Sequence, residues 1–145
     1  MGRKRRYQNA HEKRESGGFV TLAHVVLRSH CYAMLSPYAT KLLNDLLAQY
    51  RGDNNGDLCA TWSIMRKRGW RSKSTLWKAL CELKKGQWIE VARQGGKNKC
   101  SLYALTFYAV DECNGKLEIN STHSPKSTWR RNEPAPPLKN NSLTR

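Results

Sequence analysis

The sequence predicts a small α+β domain, and three observations carry that expectation. Residues 36–52 form an amphipathic run with its own helix start and stop signals, residues 61–69 and 72–86 form two shorter capped helical segments, and "QWIEVARQ" and "CSLYALTFYAV" are β-rich runs around a "GGKNK" turn. Helices first and paired strands after is the segregation that marks α+β proteins. At 145 residues the chain has length for one core of about 90 to 110 residues plus its ends. The expected organisation is a disordered basic arm over 1–18, a folded domain over 19–110, and an irregular to disordered basic tail over 111–145.

The opening "MGRKRRYQNAHEKRESGG" is polar, lacks apolar periodicity and ends in a Gly pair, which is why it reads as an arm. "FVTLAHVVLRSHCYAML", residues 19–35, is apolar, but its spacing leaves strand and short helix both open. In "LSPYATKLLNDLLAQYRG", Ser36 is placed to cap, Pro37 suits a first turn and Gly52 marks the end. Ala39, Leu42, Leu43, Leu46, Leu47 and Tyr50 recur at three and four residues, so one face of this helix belongs to the core.

"DNNGD" is a turn with residues that tolerate positive φ, and "LCA" after it suits a short strand. Thr61 should cap "WSIMRKR", which Gly69 closes; after "GWR", Ser72 should cap "KSTLWKALCELKK", which stops at Gly86. Two helices joined by a short Gly-containing turn have the form of a helix-turn-helix. The β-rich runs that follow predict an antiparallel hairpin with a basic tip. A helix-turn-helix followed at once by such a hairpin is the winged-helix order, so the expected fold is a single winged helix-turn-helix domain.

Charge is distributed in step with these elements. The formal net charge is +15 and the pI is near 10.0, and residues 61–100 alone carry 11 Lys and Arg against 2 acidic residues. That imbalance points to a polyanionic partner. On the helix after Ser72, steps of roughly 100° per residue put Leu76, Ala79, Leu80 and Leu83 in one apolar sector. Ser74, Lys78, Cys81 and Lys85 lie opposite, with Lys73 and Trp77 on one flank. A helix can enter the DNA major groove, and side chains of its first two turns reach base edges. Arg71, Ser72, Lys73, Ser74, Thr75, Trp77 and Lys78 are therefore the groove candidates. Arg66, Lys67, Arg68 and Arg93, with Lys97, Asn98 and Lys99 at the hairpin tip, are the candidates for phosphate and minor-groove contact. Lys84 and Lys85 also suit a helix C-terminus on dipole grounds alone. Trp62, Trp70 and Trp88 are expected in the core.

Other chemistries find little support. His11, His24, His30 and His123 lie in different segments, so no metal is expected. There is no Ser-His-Asp order, no phosphate-binding Gly loop and no cofactor motif, and the chain reads as a non-enzyme without a small-molecule substrate. Five cysteines without a C-x-x-C pair read as free thiols in a reducing cytoplasm, and no apolar run is long enough to span a bilayer. The expected location is cytoplasmic, in association with the nucleoid.

Taken in this order, "FVTLAHVVLRSHCYAMLSPYATKLLNDLLAQYRGDNNGDL", "KRGWRSKSTLWKALCELKKGQWIEVARQGGKNKCSLYALT", "DECNGKL" and "THSPKSTWR" resemble winged helix-turn-helix proteins of bacterial plasmids, prophages and integrative elements, a group described as replication-initiator-like or as helix-turn-helix proteins. The resemblance covers about residues 19–130. It implies double-stranded DNA binding by the helix from Ser72 and by the wing. Full replication initiators carry two winged-helix domains or an added enzymatic domain, for which this chain lacks room, so the leading expectation is a transcriptional regulator of a mobile element. A plasmid or phage replication factor binding origin repeats is the alternative, and a protein-interaction module with a basic surface for an acidic partner is a third. Residues 19–35 and the helix from Ser36 offer surface for a homodimer, as regulators of paired half-sites use.

Overall fold

Ser29 settles what the periodicity of residues 19–35 leaves open. Its hydroxyl donates to Val26 O at 2.7 Å and accepts from Tyr32 N at 3.1 Å, so one residue closes a first helical turn and caps the next. The segment is accordingly two single-turn helices, α1 (His24–Leu27) and α2 (His30–Ala33). The computed structural model describes residues 12–135. Most of the expected basic arm and the last ten residues of the tail lie outside the described residues.

Helix α3 (Pro37–Leu47) begins as its punctuation predicts, with Ser36 Oγ accepting from Ala39 N at 3.2 Å. Ala39, Leu42, Leu43, Leu46 and Leu47 are all buried. The helix stops before Gly52 because other groups take over the backbone: Asn54 Nδ2 donates to Gln49 O, and its Oδ1 accepts from Arg51 N. The Gln49 amide in turn pairs with both N–H and C=O of Cys59. The turn "DNNGD" is likewise more than a surface loop. Asn55 is wholly buried, donating to Leu105 O and Ala109 O at 2.9 Å each and accepting from Leu105 N at 2.7 Å.

Three strands follow from there: β1 (Leu58–Cys59), β2 (Ile89–Arg93) and β3 (Leu102–Leu105), antiparallel and in the order β1-β3-β2. Between β1 and β2 lie α4 (Trp62–Met65), which tightens into a 3-10 turn at Arg66–Arg68, and α5 (Lys73–Lys85). Thr61 occupies the cap position of α4, but its hydroxyl pairs with Ser63 Oγ and not with a backbone N–H. With five α-helices and one three-stranded antiparallel sheet among the described residues, the fold is mixed α+β.

Strand β3 is buried on both faces, which explains why its sequence runs apolar where one-sided burial would alternate. Tyr103 and Leu105 join the main core with α3, α5 and Trp88. Leu102 and Ala104 join Ala92 and Val110 in a second cluster, covered by Cys59, Cys100, Leu117 and Ile119. Burial raises the Cys59 thiol and the Tyr103 phenol above their ordinary pKa values.

The packed body does not end at residue 110. Trp129 is buried and stacks on Trp88 with centroids 5.0 Å apart and planes 7° from parallel. Ser127 N donates to Thr106 O, Asn132 Nδ2 donates to Gly86 O, and the Glu133 carboxylate accepts from Cys31 N at 2.7 Å. The Cys31 N–H holds the Glu133 carboxyl below its usual value, while burial pushes the Cys31 thiol up to about 11. Residues 111–135 are irregular in backbone, as expected, but they form a strap that closes over the core.

Candidate nucleic-acid interface

Helix α5 is placed by its two sides. Leu76, Ala79, Leu80 and Leu83 are buried in the core, and α5 packs along α3. Glu82, the one carboxylate of α5, accepts from Ser36 N at 3.0 Å, so its charge is committed to the first turn of α3. What faces outward is Lys73, Ser74, Trp77, Lys78 and Lys85, all exposed. Ser72 begins the helix as predicted, its Oγ accepting from Thr75 N at 3.3 Å and pairing with Ser74 Oγ at 2.9 Å. Thr75 and Ser72 are half-buried at that end.

The turn before α5 is held by a residue that the sequence reading did not single out. Asp45 is buried on α3, where its Oδ2 accepts from Trp70 Nε1 at 2.7 Å and from Lys41 Nζ at 3.0 Å. Its Oδ1 accepts from Arg68 Nε and lies 3.1 Å from Arg68 Nη2. Lys41 Nζ also donates to Arg68 O at 2.8 Å. An acid among the core leucines of an amphipathic helix was the available signal, because a carboxylate there must find partners. Arg68 therefore differs from its neighbours: Arg66 and Lys67 stand exposed beside it, whereas its guanidinium is paired with Asp45 while remaining half-exposed. Lys41, Arg71, Ser72 and Thr75 line a cavity of about 310 Å³ with Tyr38, Gly69 and Trp70.

The hairpin ends in a two-residue turn. Gly96 and Lys99 exchange backbone bonds of 2.9 and 3.2 Å, and Asn98 takes positive φ, which leaves Lys97, Asn98 and Lys99 exposed. Gly95 is required beneath this turn, because a Cβ there would lie 2.6 Å from Ser101 N. Arg93 does not share this exposure. Its Nη2 donates to Cys100 O at 3.0 Å and its Nε is buried without a hydrogen-bond partner, so it braces the hairpin against the backbone that leads from the turn into β3. Arg93 is thus engaged within the hairpin, beside the β2 bulge where the register shifts between Val91 and Arg93.

Among the described residues no hydrogen bond or ion pair joins the hairpin tip to α5; the two cationic sets are carried by separate elements. The strap adds a third. Arg130 and Arg131 are exposed, with Arg131 Nη1 3.5 Å from Gln87 Oε1 just past the C-terminus of α5. Of the tryptophans expected in the core, Trp70 and Trp88 are buried and Trp62 is partly buried, while Trp77 is 60 % exposed. No helix among the described residues is long and apolar enough to cross a membrane. Comparison with protein-family models, with curated proteins and with solved structures finds no match to this chain.

Proposed function

We propose that the chain is a double-stranded DNA-binding protein of winged-helix architecture, with α5 in the major groove and the hairpin tip as the wing. The observation that carries the proposal is the outer face of α5, where Lys73, Ser74, Trp77, Lys78 and Lys85 are exposed and the helix's one carboxylate is turned away onto Ser36 N. Solvated surfaces normally intersperse both signs of charge. A face of cations, one hydroxyl and one aromatic ring matches phosphates at its edges and base edges at its centre. Arg66, Lys67, Lys97 and Lys99 then serve as phosphate contacts, with release of condensed counterions supplying much of the affinity. In process, a regulator carried by a mobile element, acting at an operator, is the reading we favour over a replication factor at origin repeats.

The test is a gel shift with the full chain carrying both Lys73→Glu and Lys78→Glu. Both side chains are exposed, so circular dichroism should be unchanged while binding to selected duplexes is lost. Binding at the wild-type level would remove α5 from the groove. The pair Lys97→Ala and Lys99→Ala should weaken binding to all sequences alike and reduce the salt slope by about one to two.

A further inference from the structure

Trp77 is the anomaly of the outer face of α5. Its side chain is 60 % exposed in the middle of a regular 13-residue helix, and its ring lies 5.3 Å from the Lys84 ammonium. Glutamine at this position would keep the helix, its charge and its solubility, so an indole left in water calls for a partner that takes it up. Lys73 and Lys78 on the same face, with no free carboxylate of α5, require that partner to be anionic around an apolar spot.

The chemistry of the major groove narrows that spot to one group. Each base pair presents a purine N7 acceptor there, so the indole Nε1–H, a donor and nothing else, finds an acceptor at any pair and distinguishes none of them. The rest of the ring forms no hydrogen bonds. One apolar group occurs in the major groove, the 5-methyl of thymine. The geometry points to Trp77 as a specificity-determining residue that packs its ring on thymine 5-methyl groups, giving the protein a preference for sites with thymine under the second turn of α5. This inference rests on the DNA-binding reading and names the feature of DNA that α5 selects.

The experiment measures binding of the full chain, at fixed moderate salt, to three labelled duplexes: alternating d(AT), the same duplex with deoxyuridine for every thymidine, and alternating d(GC). The alternating polymer places a methyl at every pair, so no knowledge of the natural site is needed, and the uridine duplex removes the methyls while keeping every phosphate. Wild type should bind the thymine duplex about three- to five-fold more tightly than the uridine duplex, the expected gain for burying a single methyl. Trp77→Ala, at an exposed position that circular dichroism should show still folded, should bind the two equally, and Trp77→Phe should keep part of the preference. Equal binding of the two duplexes by wild type would overturn the methyl contact and leave DNA binding standing. A preference that survives in Trp77→Ala would overturn the assignment to Trp77. Failure to bind any of the three would overturn this inference together with the DNA-binding reading.

Discussion

Asp45 brings four donor atoms, from Lys41, Arg68 and Trp70, to a carboxylate that is 5 % exposed. The side chains of Lys41 and Arg68 remain 39 % and 50 % exposed, so they recover water if the carboxylate is removed. Trp70 is buried and its Nε1 has no such recourse. Asp45→Ala should therefore cost about 2 kcal/mol, the penalty of an orphaned buried donor, and less than the roughly 3–5 kcal/mol of breaking a fully buried ion pair. A lowered urea midpoint at unchanged m-value would show it. Asp45→Asn, which keeps an acceptor for Trp70, should lose about half as much. A wild-type midpoint in Asp45→Ala would mean that the turn before α5 is held by packing alone.

At the scale of elements, the joint between α4 and α5 turns on Gly69, whose φ of +90° closes the 3-10 turn. A Cβ there meets nothing within 4 Å, so the cost of Gly69→Ala is conformational: about 1–2 kcal/mol of left-handed strain, read in thermal unfolding. Gly69→Asn should cost less, because Asn tolerates this region; a larger loss for Asn would point to crowding. The joint was legible in the sequence because Gly and Ser carry their conformational reasons with them. Ser36, Ser72 and Gly69 act where their chemistry places them. Gly86 caps α5 as expected, yet the positive φ falls on Gln87, and a Cβ at Gly86 would make a tight 3.0 Å contact with Trp88 Cδ1. What stayed hidden was non-local. The pairing of a two-residue β1 with β3 has no local signature, and neither does the turn of Arg93 along its hairpin. The cations of the site were visible as a charge run, but the choice between Arg66 and Arg68 depended on Asp45, which lies more than twenty positions away.

The molecule as a whole is closed by the strap, and that closure bears on where its charge of +15 can act. A detached basic tail would add diffuse attraction. The strap instead fixes Arg131 beside Gln87 at the end of α5 and ties Lys126 to Glu90 at 2.8 Å. It also bridges elements that otherwise share little: Glu133 holds the start of α2, Asn132 the end of α5, and Trp129 lies flat on Trp88, which in turn meets Tyr32 and Phe107 edge-on. If the strap is part of the cooperative unit, deleting its one buried ring must register in global unfolding. Trp129→Ala should cost about 3–5 kcal/mol, the range for emptying a large aromatic site, against a typical total of about 5–15 kcal/mol. Chemical denaturation should then show one transition at a much lower midpoint, followed by Trp fluorescence and far-ultraviolet dichroism together. A tail that merely rests on the domain would leave the main transition at its wild-type midpoint, with the fluorescence change preceding it.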